Sequence, residues 1–251
     1  MDSIYPVLSG ALAQEKRLEV ITNNLANINT AGFKKDQPLF EGMALLSEMS
    51  AGPNGGTTPS PTFETLSQIH TDFTPGSIRR TGEPLDLAID GEGFFAVQTP
   101  RGVRYTRGGS FTIDAQGQIA THDGFPLLGS GGPIIVPPGA IQVDPEGRLS
   151  VKGTEVGAQS TDIDTLPLYR FSDRSQLKKT GQTLFEAVGG SAIPYPEGRI
   201  NQGALEESNV NPVEEMVAMI TVMRLYESAQ KAIQTADEVA SKTSNEVGRL
   251  S

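Results

Sequence analysis

Between Pro212 and Gly248 the chain holds neither proline nor glycine, and this stretch constrains the fold more than any other. A helix of about 36 residues runs roughly 54 Å, longer than a small β domain is wide. Its start is well marked. Asn211 suits an N-cap, Pro212 suits the first helical position, and Glu214 is placed to complete a capping box. Met216, Ile220 and Met223 form an apolar stripe that continues, after a one-residue slip, through Ala229, Ile233, Ala236, Ala240 and Val247. Such a slip means local rewinding of a heptad pattern, not a helix break. Alanines on the stripe let a second helix axis approach closely.

The partner for that stripe lies at the other end of the chain. Residues 4–30 read as an amphipathic helix, with Ile4, Leu8, Ala11, Leu18, Ile21, Leu25 and Ile28 recurring at spacings of three, four and seven. Gly32 is placed as a stop, after the helix-weakening Asn29 and Thr30. Asn24 and Asn27 are expected to cap backbone or to bond across helices, as is Asn23.

The middle of the chain changes period. Residues 33–75 carry Gly52-Pro53-Asn54-Gly55-Gly56-Thr57-Thr58-Pro59-Ser60-Pro61, which sustains neither a helix nor a central strand, so they read as an extended link. From 76 to 204 the period is two. Strand candidates are Leu85–Ile89, Phe94–Gln98, Val103–Thr106, Ser110–Ile113 and Ile134–Val136. Two turns, Asp114–Gly117 and Asp144–Gly147, pair an aspartate that bonds its own backbone with a glycine at positive φ. The expected fold is therefore α+β. Discontinuous N- and C-terminal helices (1–32 and 205–251) form a coiled-coil-like layer, and an all-β domain (76–204) is inserted behind the 33–75 link.

Burial supports the same reading. The apolar side chains of two such helices offset only part of the ordering entropy of their backbones. Neighbouring copies would supply the missing burial, so the ends read as assembly surfaces. Arg224, Glu227, Lys231 and Glu238 flank the stripe as candidates for setting register between copies.

Composition excludes several classes. A net charge of −10 argues against nucleic acid as a partner, and the basic pairs Lys34–Lys35 and Arg79–Arg80 read as solvated loop charges. There is no cysteine, so disulfides and thiolate metal sites are excluded. No run is apolar enough for membrane insertion, and the N-terminus lacks the features of a secretory signal. The two histidines, His70 and His122, match no zinc pattern. Gly108-Gly109-Ser110-Phe111-Thr112 fails the nucleophile-elbow pattern, and Asp90-Gly91-Glu92-Gly93 lacks the third glycine of a phosphate loop. A peptidoglycan-cleaving carboxylate pair and a sugar-binding β module are the competing classes. No carboxylate pair stands out, and the chain has no tryptophan and only five tyrosines. No enzymatic activity, cofactor or metal is expected.

Four blocks resemble one family. Asn23-Asn24-Leu25-Ala26-Asn27-Ile28-Asn29-Thr30-Ala31-Gly32-Phe33-Lys34 is similar to the N-terminal signature of bacterial flagellar rod and hook proteins. Leu85 to Val97 resembles the segment that opens their β domain, and Tyr105 to Gly117 with Leu127-Leu128-Gly129 continues the match. Ser208-Asn209-Val210-Asn211-Pro212-Val213-Glu214-Glu215-Met216, followed by Arg224, Tyr226 and Lys231, is similar to their C-terminal helix. Among rod members, the short chain and Pro212 look most like the proximal-rod type, with the distal-rod type second. The resemblance implies a drive-shaft subunit of the basal body that transmits torque from motor to hook. It is expected to lie in the periplasmic space and to pass through the flagellum's own export apparatus without a cleaved signal. Its partners would be copies of itself and other rod proteins. The interface expected on this reading comprises Leu18, Ile21, Asn24, Leu25, Asn27, Ile28, Met216, Ile220, Met223, Ile233, Ala236 and Ala240.

Overall fold

A computed structural model of the chain describes residues 4–44, 62–153 and 160–247. Contacts divide it into two compact units. The first draws on residues 1–26, 36–70 and 211–251, and the second on residues 27–35 and 71–210. The class is α+β, as expected, with one long helix from each end of the chain and many short strands between them.

In the first unit, helix α1 (Ile4–Ala26) packs on helix α2 (Pro212–Val247), whose 36 residues match the length read from the sequence. The α2 start is built as the local residues dictate. Asn211 Oδ1 accepts from the Val213 N–H at 3.1 Å, and the Asn211 side-chain amide donates to Glu214 Oε1 at 3.0 Å. Glu214 thus completes the cap through a side chain rather than through the backbone of a standard box. Glu214 and Glu215 also place negative charge at the positive end of the helix dipole. Helix α1 ends at Ala26, earlier than residue 30, because Asn27 and Thr30 bond each other locally. Thr30 N–H donates to the Asn27 carbonyl at 3.2 Å, and Thr30 Oγ1 donates to Asn27 Oδ1 at 3.1 Å.

The segment expected to be a plain link carries two strands, β1 (Asp36–Ala44) and β2 (Thr62–Thr71), which pair with each other. The Gly/Pro run at 52–61 lies outside the described residues.

The second unit is β-rich. An antiparallel four-stranded sheet runs in the order Leu177–Lys179, Leu184–Ala187, Gly102–Thr106, Phe95–Thr99. A three-stranded sheet joins Ser160–Thr165, Arg148–Lys152 and Ala140–Val143. Residues near the end of the unit return to its beginning: Arg199–Gln202 pairs with Leu87–Asp90, and Ala204–Glu206 pairs with Ile78–Arg80. Four of the five strand candidates fall on strands, whereas Ile134–Val136 makes only an isolated bridge through Ile135 to Gln118.

Both aspartate–glycine turns form as their residues require. Asp114 Oδ1 accepts from the Gln116 and Gln118 N–H groups at 2.9 and 2.8 Å, and Gly117 sits at φ 79°. Asp144 and Gly147, at φ 86°, repeat the arrangement. The core gathers Leu87, Phe95, Ile119, Leu127, Leu149 and Ile200 with their neighbours. A second cluster stacks Phe73, Phe94, Phe171 and Phe185 at ring distances of 5.2–5.9 Å.

Candidate functional site: two helical faces and a buried charge cluster

The face that α2 turns toward α1 is set by residues that periodicity alone ranks poorly. The buried and half-buried positions are Glu215, Ala218, Met219, Val222, Tyr226, Ala229 and Ile233. Within this set, 215, 219, 222, 226, 229 and 233 are spaced four and three without interruption. The stripe read from the sequence is therefore corrected in its first half. Met216, Ile220 and Met223 are 51%, 53% and 46% exposed and do not enter the seam with α1. The expected slip disappears with them.

The cause is that the first turns of α2, Val213 to Tyr226, are apolar on nearly every side. A polar residue, Glu215, heads the true seam, so a hydrophobic reading settles on the adjacent phase. Ile233 is half-buried on the seam as expected, and the side chains of Ala236, Ala240 and Val247 lie outside the described residues.

Two faces therefore divide the helix. The inner one meets α1. The outer one presents Val213, Met216, Val217, Ile220 and Met223 to solvent at i, i+3, i+4, i+7 and i+10. The stripe is contiguous and lies open on a helix already packed on its other side.

On α1, Ile21 is buried, and Leu18 and Leu25 are half-buried. The side chains of Ile4 and Leu8 lie outside the described residues. Asn24 is 1% exposed and does bond across elements. Its Nδ2 donates to the Asp36 carbonyl at 2.9 Å and to Glu215 Oε2 at 3.4 Å, and its Oδ1 accepts from the Asp36 N–H at 3.0 Å. Asn27 is buried and Ile28 half-buried, both within the second unit.

The second unit holds a charge cluster that the sequence reading missed. Lys34, which reads from the sequence as a solvated loop charge, is fully buried, and its Nζ meets Glu206 Oε1 at 2.5 Å. Arg107 Nη1 meets Glu206 Oε2 at 3.2 Å, and the Gly76 N–H donates to Oε1 at 3.0 Å. Lys34 also donates to the Thr74 carbonyl, and Arg107 to the Gly91 carbonyl. Burial pushes the Lys34 ammonium below its ordinary pKa, against the pull of the Glu206 carboxylate and, more weakly, of Asp72. Burial lowers Arg107 in the same way.

Gly32 anchors one side of this cluster. It lies at φ 70°, donates to the Glu206 carbonyl at 2.7 Å, and a Cβ there would sit 2.3 Å from the Arg107 backbone. Lys34 and Glu206 are 172 residues apart, so no local pattern announces the pair. Arg79 and Arg80 are exposed, as read.

The structure also brings Ser110 and His122 together, with Oγ and Nε2 3.1 Å apart, in a cleft that Asp86 and Glu83 help to line. Among the described residues no carboxylate bonds the other ring nitrogen, so the third member of a nucleophilic relay is missing. Also among the described residues, no group of three His, Cys, Asp or Glu is placed to hold a metal ion, and no helix is long and apolar enough to cross a membrane.

Paired helices drawn from both ends of the chain, an apolar stripe open beside their seam and a β-rich insert define a structural protein of the assembly type. Comparison with known proteins agrees. Residues 4–34 match the family model described as flagella basal body rod protein, and residues 88–151 match the flagellar hook protein FlgE/F/G D1 domain. Residues 201–246 match the flagellar basal body rod FlgEFG protein C-terminal domain. The flagellar basal-body rod protein FlgG of Buchnera aphidicola subsp. Schizaphis graminum is 34% identical over 261 residues, covering 96% of this chain and 98% of that protein. The flagellar basal-body rod protein FlgF of Caulobacter vibrioides is 34% identical over 254 residues, covering 99% of each. FlgG of Bacillus subtilis is 33% identical over 260 residues, covering 97% and 98%. The chain belongs to the flagellar basal-body rod protein family.

Proposed function

We propose that this chain is a structural subunit of the bacterial flagellar rod, which assembles with copies of itself and with other rod proteins to carry torque from motor to hook. The observation that carries the reading is the outer stripe of α2. Five apolar side chains stand open on a helix whose opposite face is already used, and a neighbouring subunit's helix is the natural cover. Subunits of a helical shaft make heterologous contacts, so two different faces on one helix suit the role. In this reading the α1–α2 pair forms a coiled-coil-like layer, with Arg224, Glu227, Lys231 and Glu238 tuning register at its flanks. The chain is no enzyme, inserts in no membrane, and reaches the periplasmic part of the basal body through the flagellar export apparatus. Within the family we favour the proximal-rod type. The alignment to the Caulobacter FlgF spans 254 residues against a chain of 251, whereas the Buchnera FlgG alignment needs 261.

The test uses one substitution on the outer face. Ile220→Asp puts a charge on the outer stripe, which water solvates in the free subunit and a dry interface does not. The variant is expected to fold with unchanged circular dichroism, to be absent from purified basal bodies, and to leave cells non-motile. Normal incorporation of Ile220→Asp would contradict the reading.

A further inference from the structure

Among the described residues, the seam of the first unit contains one fully buried polar rung. Asn24 is 1% exposed and Glu215 4%, whereas the other polar side chains along α1 on this face, Gln14 and Arg17, are only half-buried, and most of the remaining seam positions are apolar. On α2 these are Met219, Val222, Tyr226, Ala229 and Ile233, and on α1 they include Leu18, Ile21 and Leu25.

Two hydrogen bonds to the backbone of Asp36, at 2.9 and 3.0 Å, hold the Asn24 amide as a neighbouring strand would. Its remaining Nδ2 hydrogen is thereby aimed in one direction, where Glu215 Oε2 accepts it at 3.4 Å. Sliding α2 by one heptad would bring Val222 to this level, and sliding it by three or four residues would bring Ala218 or Met219. None of these replaces a carboxylate. Each slip strands a buried amide hydrogen and moves a carboxylate away from it. The apolar part of the seam discriminates poorly, because contacts among Ala, Val, Met, Leu and Ile re-form in more than one register. A single buried polar pair is what selects among such registers.

We infer that Asn24 and Glu215 are the register pin of the helix pair. They are positioning residues that set how far α2 lies along α1, and hence the height at which the Val213–Met223 stripe is displayed. That last consequence rests on the assembly reading above, whereas the pin itself does not.

The chain has no cysteine, so spin labels at Leu12→Cys and Glu227→Cys, both exposed, report the offset between α1 and α2 without interference. Pulsed electron resonance on the monomeric full chain should give one narrow distance distribution. Asn24→Leu combined with Glu215→Leu preserves bulk and removes the polar rung. It is expected to stay helical and to add populations displaced by up to about 10 Å, one heptad at the helical rise. Glu215→Gln still offers an oxygen to Asn24 and should keep the single distance. An unchanged single distance in the double-leucine variant overturns the inference. So does loss of its helicity, which would make the pair a stabilising contact rather than a register device. Displaced distances together with normal incorporation of Ile220→Asp would uphold the pin and contradict the assembly reading.

Discussion

Removing the Glu206 carboxylate tests the buried charge cluster most sharply. In Glu206→Ala, Lys34 loses its 2.5 Å partner, Arg107 loses its 3.2 Å partner, and the Gly76 N–H loses its acceptor, all away from water. Breaking one buried pair typically costs about 3–5 kcal/mol, because an uncompensated charge is left behind. Here two cations are stranded, so the cost belongs near the top, at about 4–5 kcal/mol. That is a large part of an ordinary domain's stability of about 5–15 kcal/mol. For a unit of this size it corresponds to a fall in melting temperature of roughly 8–20 °C. The chain has no tryptophan, so the assay is near-ultraviolet circular dichroism of the packed rings, Tyr105, Tyr169 and Phe171 among them, followed through denaturant and heat. Replacing Lys34, Arg107 and Glu206 together by methionine removes the stranded charge and is expected to recover at least half of the loss. A cost below about 1 kcal/mol for Glu206→Ala would refute the reasoning, since it would mean that water already solvates the cations.

Two further outcomes follow from the same unit. Gly32→Ala forces a side chain into the left-handed region and against the Arg107 backbone 2.3 Å away. It should lower stability by at least about 2 kcal/mol in the same denaturation assay, and a neutral result would contradict the close approach. Hydrogen bonds from Ser77 and Arg79 hold the exposed Glu207 carboxyl below its ordinary 4.5, and Ser175 holds Asp173 below its ordinary 3.8. Because both folded values are depressed, the stability they contribute is present above the ordinary values and is lost as pH falls through the depressed ones. The melting temperature should therefore decline on acidification below about pH 4.5, and Glu207→Gln with Asp173→Asn should flatten that decline. An unchanged acid slope in the double variant would remove these carboxylates from the explanation.

What the sequence disclosed follows a physical division. Local chemistry was legible. Asn211 and Pro212 announced the start of α2, and Asp114 with Gly117 announced a turn whose hydrogen bonds close within five residues. Features resting on partners far along the chain were not. Lys34 looks like any loop lysine until Glu206 is folded against it. The strands at 36–44 and 62–71 lack strong alternation and gain their identity from pairing with each other. The phase error on α2 is of a third kind: a helix apolar on most sides fits two faces equally well, and the burial of Val222 together with the polar Asn24–Glu215 contact shows which one turns inward. The outer stripe was thus singled out for assembly by residue type, but assigned to a seam within the chain.

A side-chain-resolution density map of the intact basal body, with this chain traced in it, tests the central idea most directly. Val213, Met216, Val217 and Ile220 are expected against helices of adjacent subunits, with Val222 and Glu215 turned toward the chain's own α1. Density in which that outer stripe faces open solvent, or lies under its own subunit's strands, would contradict it.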